Sequence, residues 1–258
     1  MRQMPDSNSA VALVTGASRG IGRGVALALS DAGMTVYATG RTAIDDTAGL
    51  AADRGGRVVP LLCDHRDDLA VERVFRTIEA DAGRLDVLVN NATTLPDLGL
   101  LFSDRPFWEL QPDAWDDLMT VGLRSHFIAS QYAARIMIRQ GKGLIVNISS
   151  AGAKTKIGIV PYGVGKAALD HLTCEMAAEL RAHGVGVVSL WPPPSKTEGM
   201  LADADEDTNT AAWSSTEFTG RVIAVLAEED PLRRSGDVLS ARALGADLGI
   251  EDDADLDR

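Results

Sequence analysis

Short apolar runs rich in Val, Ile and Leu alternate along this chain with longer segments whose apolar residues recur at helical spacing. The short runs predict strands at Ala10–Thr15, Thr35–Thr39, Val58–Cys63, Val87–Asn90, Gly143–Ser149, Val185–Trp191 and Asp237–Ser240. Between the first two, Ile21, Val25, Ala28 and Leu29 fall on one helical face that can pack on a sheet. Strands alternating with helices predict βαβ units, and so an α/β fold: a doubly wound sheet of about seven parallel strands with helices on both faces. No internal repeat or linker interrupts the pattern. One domain over residues 10–245 is expected, with a flexible lead at 1–9 and an acidic tail at 246–258. The longest irregular stretches, Ala92–Asp113 and Pro192–Thr216, both follow strands, where ligands bind in open parallel sheets.

Composition narrows the partners. The chain has 258 residues, 45% hydrophobic and 24% charged, enough to bury a substantial core. Its formal net charge of -12 opposes a phosphate backbone, so no nucleic-acid partner is expected. Cys63 and Cys174 are too few and too far apart for a metal cluster or a disulfide framework. Both read as buried thiols, and no metal is expected. No apolar stretch approaches the roughly 20 residues of a membrane helix, and Met1–Ala10 lacks a signal-peptide core, so a cytoplasmic protein with no membrane partner is expected. Glu251–Arg258, with five carboxylates and one arginine, reads as a solvated tail.

Candidate chemistry begins where the first strand meets the first helix. Thr15, Gly16, Ala17, Ser18, Arg19, Gly20, Ile21 and Gly22 form a glycine turn that lets a pyrophosphate reach main-chain N–H groups at a helix N-terminus. At the end of the second strand, an NAD site usually carries an acid for the ribose hydroxyls; here Gly40 and Arg41 stand there. The planar fork of Arg41, with Arg19 as a second charge, suits a 2'-phosphate, so NADP(H) is favoured and NAD(H) remains possible. Arg41 as a plain solvated residue is the alternative. Asp64 ends the third strand and can accept from the adenine amino group; Asn90 and Asn91 end the fourth and can hold the adenosine side. Each also suits a strand-end cap.

Tyr162 and Lys166 stand four residues apart, which on a helix puts phenol and ammonium on one face about 6 Å apart. A neighbouring cation stabilises a phenolate and lowers its pKa, which equips Tyr162 as a general acid or base. A hydroxyl-bearing strand end, Asn147–Ser150, precedes them.

In order, TGASRGIG at Thr15–Gly22, NNA at Asn90–Ala92, NISS at Asn147–Ser150, YGVGK at Tyr162–Lys166 and WPPPSKTE at Trp191–Glu198 resemble the short-chain dehydrogenase/reductase family, whose fold is of the Rossmann type. The resemblance runs from Val11 to about Leu244. It implies NAD(P)-dependent hydride exchange between a carbonyl compound and an alcohol. Ser150 would polarise the substrate oxygen, Tyr162 exchange the proton, and Lys166 tune Tyr162 and grip the nicotinamide ribose; Ser149 competes with Ser150 for the serine role. Thr197 would contact the carboxamide or be a loop residue only. The stretches WDDLMTVGLRSHF, GLIVNISS, VPYGVGKAA and VSLWP resemble a narrower branch, the dehydrogenase/reductase SDR family member one group. That branch implies NADPH-linked reduction of hydrophobic ketones or steroid-like carbonyls. Family members usually form homodimers or homotetramers, here through Asp113–Arg139 and Tyr162–Ala182.

Three positions depart from the family pattern. Gly122 stands where many members have an asparagine that helps a water connect the lysine to solvent. Thr93 replaces a glycine, and Pro192, Pro193 and Pro194 replace Pro-Gly, which removes backbone donors from the segment facing the nicotinamide. Gly122 and the prolines motivate a second reading, a catalytically silent NADP-binding or scaffold protein. Phe107, Trp108, Trp191 and Trp213 read either as apolar substrate walls or as core.

Overall fold

A computed structural model of the chain describes residues 9–42, 44–94, 98–205 and 208–252. Most of the lead and residues 253–258 of the tail lie outside them. The strands are β1 Val11–Val14, β2 Thr35–Gly40, β3 Arg57–Leu62, β4 Val87–Asn90, β5 Gly143–Ile148, β6 Val185–Trp191 and β7 Val238–Ser240. The helices are α1 Gly20–Asp31, α2 Ile44–Asp53, α3 Asp68–Ala82, α4 Leu98–Leu101, α5 Pro112–Met119, α6 Ser125–Gln140, α7 Val160–Leu180, α8 Glu198–Asp203, α9 Thr216–Glu228 and α10 Ala241–Asp247. Each expected strand is present, with ends that differ by no more than a residue or so.

All pairings are parallel and the strand order is β3-β2-β1-β4-β5-β6-β7. A parallel sheet needs both faces covered, which is why β1, β2, β4 and β5 are buried along their whole length. On one face Val25, Leu29, Val222 and Ile223 from α1 and α9 pack on Val14, Val36 and Val146. On the other, Val74 and Ile78 from α3 and Ala133 and Met137 from α6 pack on Leu13, Leu88 and Ile145. Each fully buried Leu or Ile contributes about 1.5–3 kcal/mol relative to exposure. The order reverses between β1 and β4, and their carboxyl ends open the crevice that holds the site.

The long helix expected over Asp113–Arg139 is broken. After α5, Thr120–Arg124 form a π-helical turn that buries Val121 and Gly122 before α6 resumes. One extra residue per turn re-phases the helix, so α5 packs with the loop cluster around Leu101 and Ile159 while α6 packs on the sheet.

Two expectations need correction. Cys174 is exposed on α7, while Cys63 is buried with its thiol pushed up to about 12 by desolvation. The packed chain also continues beyond 245: Ile250 lies on the core, and Asp252 accepts from the Ser215 N–H at 3.0 Å. Among the described residues no helix is long and apolar enough to cross a membrane, and no cluster of His, Cys, Asp and Glu could hold a metal.

Candidate active site

The glycine turn leaves β1 and enters α1 at the switch point. Gly16 takes φ +67°, and a Cβ there would sit 2.7 Å from Ala92 Cα; one on Gly22 would sit 2.3 Å from Gly16 O and 2.4 Å from Asn91 Nδ2. The turn is braced from below. Ala17 N–H donates to Thr39 O (2.7 Å), the Thr47 hydroxyl donates to Ala17 O (2.9 Å), and Asn91 Nδ2 donates to Thr15 O (2.9 Å) and Gly16 O (3.0 Å). Ile21 is half-buried on the core, Ser18 lies against the end of β2 at Gly40, and Arg19 and Arg41 are exposed beside it.

An anion already tests this turn. The Glu198 carboxylate accepts from Gly20 N–H at 2.9 Å and from Arg23 Nη1 at 3.1 Å, while Arg23 Nη2 donates to Ser18 O. A carboxylate thus occupies the N-terminus of α1, where the partial positive charge of the helix favours negative groups. The turn therefore fits a pyrophosphate by its own chemistry. Thr197, immediately before Glu198, caps α8 by accepting from Met200 N–H (3.2 Å), and its methyl carbon lies 3.4 Å from where a Gly20 Cβ would be. Glu198 and Arg23 were missed by sequence reading because this contact joins positions 178 apart.

The two asparagines bond to different partners. Asn90 is fully buried and its Nδ2 donates to Ser130 Oγ (2.9 Å) and Asn147 Oδ1 (2.9 Å), while Asn147 donates to Thr173 Oγ1 (2.8 Å). Asn91 holds the glycine turn. Both amide nitrogens knit β4 to its neighbours, while the buried Asn90 Oδ1 has no hydrogen-bond partner. Asp64 is exposed; its Oδ1 accepts from Arg66 N–H at 3.0 Å, a local turn cap.

Tyr162 and Lys166 lie in the first turns of α7, with Lys166 Nζ 5.8 Å from the phenol ring centroid. Lys166 is buried and donates from Nζ to Ile148 O at 2.9 Å. The two serines part company. The buried Ser149 hydroxyl donates to Lys166 O at 3.2 Å, whereas the half-buried Ser150 is hydrogen-bonded to the Tyr162 phenol and accepts from Gly152 N–H at 3.1 Å. The structure brings Ser150, Tyr162 and Lys166 together and turns Ser149 away.

Burial dominates the electrostatics. Desolvation pushes Lys166 down to about 8, opposed by the Asp170 carboxylate. It pushes the Tyr162 phenol up, opposed by the hydrogen bond to Ser150. The expected depression of Tyr162 is thus reversed in the protein alone: the apolar surroundings, Leu101, Ala114, Leu118 and Ile159, outweigh an ammonium 5.8 Å from the ring.

In the segment between α4 and α5, Phe107 and Trp108 pack edge to face at 5.3 Å, and both are exposed, as are Phe102 and Leu201. Pro192–Pro194 leave β6 and are tied down by Ser214 N–H to Pro194 O (2.9 Å) and Lys196 N–H to Ser214 O (2.9 Å).

Comparisons with known proteins agree with this geometry. Residues 10–209 match the family described as short chain dehydrogenase. The chain is 44% identical over 259 residues to the mouse Dehydrogenase/reductase SDR family member 1, covering 94% of this chain and 82% of the relative. It is 35% identical over 204 residues to Gluconate 5-dehydrogenase of Gluconobacter oxydans, covering 77% of each. Among solved structures, a metagenomic short-chain oxidoreductase in complex with NADP superposes with a TM-score of 0.74 at 30% identity, covering 91% of this chain and 98% of the other. The chain belongs to the short-chain dehydrogenase/reductase family, and it is an oxidoreductase of the carbonyl/CH–OH pair.

Proposed function

We propose that this enzyme is an NADP(H)-dependent reductase of hydrophobic ketones or steroid-like carbonyls, working reversibly on the secondary alcohols. The observation that carries the reading is the Ser150–Tyr162–Lys166 set beside the crevice at the strand ends. A bound nicotinamide supplies the hydride chemistry. Ser150 Oγ–H donates to the substrate oxygen and holds it beside the phenol. Tyr162 Oη delivers its proton to that oxygen in reduction and takes it back in oxidation. Lys166 stabilises the phenolate that remains and grips the ribose; Gly16, Ser18, Arg19, Gly20, Ile21, Gly22 and Thr197 line the cofactor path. The exposed Phe102, Phe107, Trp108 and Leu201 favour a bulky apolar substrate. Exposed Trp115, Phe127 and Val164 on α5, α6 and α7 support a homodimer or homotetramer through these helices.

NADP preference rests on Gly40 and Arg41 at the end of β2, and the solved relative in complex with NADP supports it. Fluorescence titration is expected to show NADPH binding more tightly than NADH. Arg41→Ala is expected to weaken NADPH roughly 10- to 100-fold, the worth of a charge-assisted hydrogen bond, and to leave NADH nearly unchanged. Equal losses for both cofactors would remove the 2'-phosphate assignment. Glu198→Gln is expected to tighten NADPH by no more than about fivefold, because an exposed ion pair contributes little. Weaker binding in that variant would mean that Glu198 assists the cofactor and does not compete with it.

A further inference from the structure

Behind the catalytic set lies a carboxylate that the proposed chemistry does not use. Asp170 stands four residues after Lys166 on α7, half-buried. Its Oδ1 accepts from Ser189 Oγ at 2.6 Å, and the Trp191 indole Nε1–H lies 3.3 and 3.2 Å from its two oxygens. Ser189 and Trp191 are alternate residues of β6, so both side chains leave the same face of the sheet, toward α7. Trp191 is the last residue before Pro192, and its ring carries Lys154 Nζ at 5.4 Å from the centroid. Lys154 closes the short turn that follows Ser150. One carboxylate therefore links the helix of Tyr162 and Lys166, the strand that launches the proline segment and, through the indole, the loop of Ser150.

Packing alone does not ask for an acid here, since an apolar side chain would fill the space without desolvating a charge. The Lys166 ammonium supplies a reason. It faces Tyr162 on its own helix, the Ile148 carbonyl from β5 and His126 from α6. His126 is fully buried, its Nε2 bonded to Ala92 O at 2.8 Å, and desolvation pushes it down to about 3, so it is neutral and balances no charge. Asp170, one helical turn further along the same face of α7, is placed to act on this lysine and raises its proton affinity.

We propose that Asp170 is a positioning residue of the catalytic set: it pins Trp191 and the proline segment to α7 and serves as the counter-charge of the Lys166 ammonium. The inference rests on the reading of Tyr162 and Lys166 as the proton-exchanging pair, but its test needs neither substrate nor turnover. In full-length, cofactor-free protein labelled with [ε-13C]lysine, the Lys166 signal is assigned by its loss in Lys166→Arg and followed against pH. Asp170→Asn is expected to lower the Lys166 midpoint by roughly one pH unit. It should also speed solvent exchange of the Trp191 indole N–H. Trp191→Phe, which keeps an aromatic face for Lys154 and removes only the indole donor, should not lower the lysine midpoint; like any loss of a donor to the carboxylate it can only raise it slightly. An unchanged midpoint in Asp170→Asn, or an equal fall in Trp191→Phe, overturns the proposal, because packing and not charge would then set the lysine. Should Asp170→Asn fail to fold, Ser189→Ala takes its place. Loss of that donor leaves the carboxylate less neutralised and is expected to raise the midpoint by a few tenths; no rise overturns the proposal. A wild-type protein that reduces no carbonyl compound would sink the functional reading and leave the lysine result standing.

Discussion

Turnover by Tyr162→Phe is expected to fall about 10²- to 10⁴-fold, the usual contribution of a positioned proton donor, while NADPH binding stays within a few-fold of the parent. The substitution removes one oxygen and keeps the ring, which packs against the cluster of Leu101, Ala114, Leu118 and Ile159. Stability should therefore change little. Ser150 cannot stand in for the phenol, because its hydroxyl is a poor acid. Steady-state rates at saturating NADPH, paired with cofactor titration, give the answer. Turnover that survives the change would move the proton to another group. Cofactor binding without turnover in the parent itself would favour the scaffold reading raised by Gly122 and Pro192–Pro194.

Gly22→Ala is expected to lower stability by about 1–3 kcal/mol, as overpacking does, and to weaken NADPH more than tenfold. The added carbon would lie 2.3 Å from Gly16 O and 2.4 Å from Asn91 Nδ2. Neither neighbour can step aside cheaply. Gly16 is main chain in a left-handed conformation, and Asn91 is fixed by donating to Thr15 O and Gly16 O. Relief has to come from moving the turn itself, which carries the N–H groups proposed to meet the phosphates. Urea midpoints and NADPH titration measure the two effects; an intact midpoint with intact binding would show that the turn is looser than its contacts indicate.

Much of this was legible in the sequence because it depends on local order. Strand runs, the glycine turn at a strand-to-helix junction, and Tyr162 one helical turn before Lys166 all follow from short-range periodicity and φ preferences. What escaped depends on distance or environment. The Glu198–Gly20 contact and the Asp170–Trp191 clamp join residues with no fixed separation in sequence. The contacts of Asn90 Nδ2 with Ser130 and Asn147 likewise depend on which elements flank β4. The direction of the Tyr162 shift reversed for a related reason: spacing reveals the ammonium nearby but not how much apolar surface surrounds the phenol.

The π turn at Thr120–Arg124 sets how this region can evolve. Residue identity inside it is loosely constrained: a Cβ at Gly122 would approach only Thr93 Oγ1, at 3.3 Å. Its width is not. Winding the same five residues as ordinary helix would rotate everything after them by roughly 90° relative to α5, whereas loss of one residue would absorb the extra turn and leave α6 in place. Such rewinding would swing His126 off Ala92 O and Ser130 off Asn90, both of which support the floor of the crevice. Substitutions that keep the wide turn should accumulate here among relatives, and a relative that has lost it should be one residue shorter.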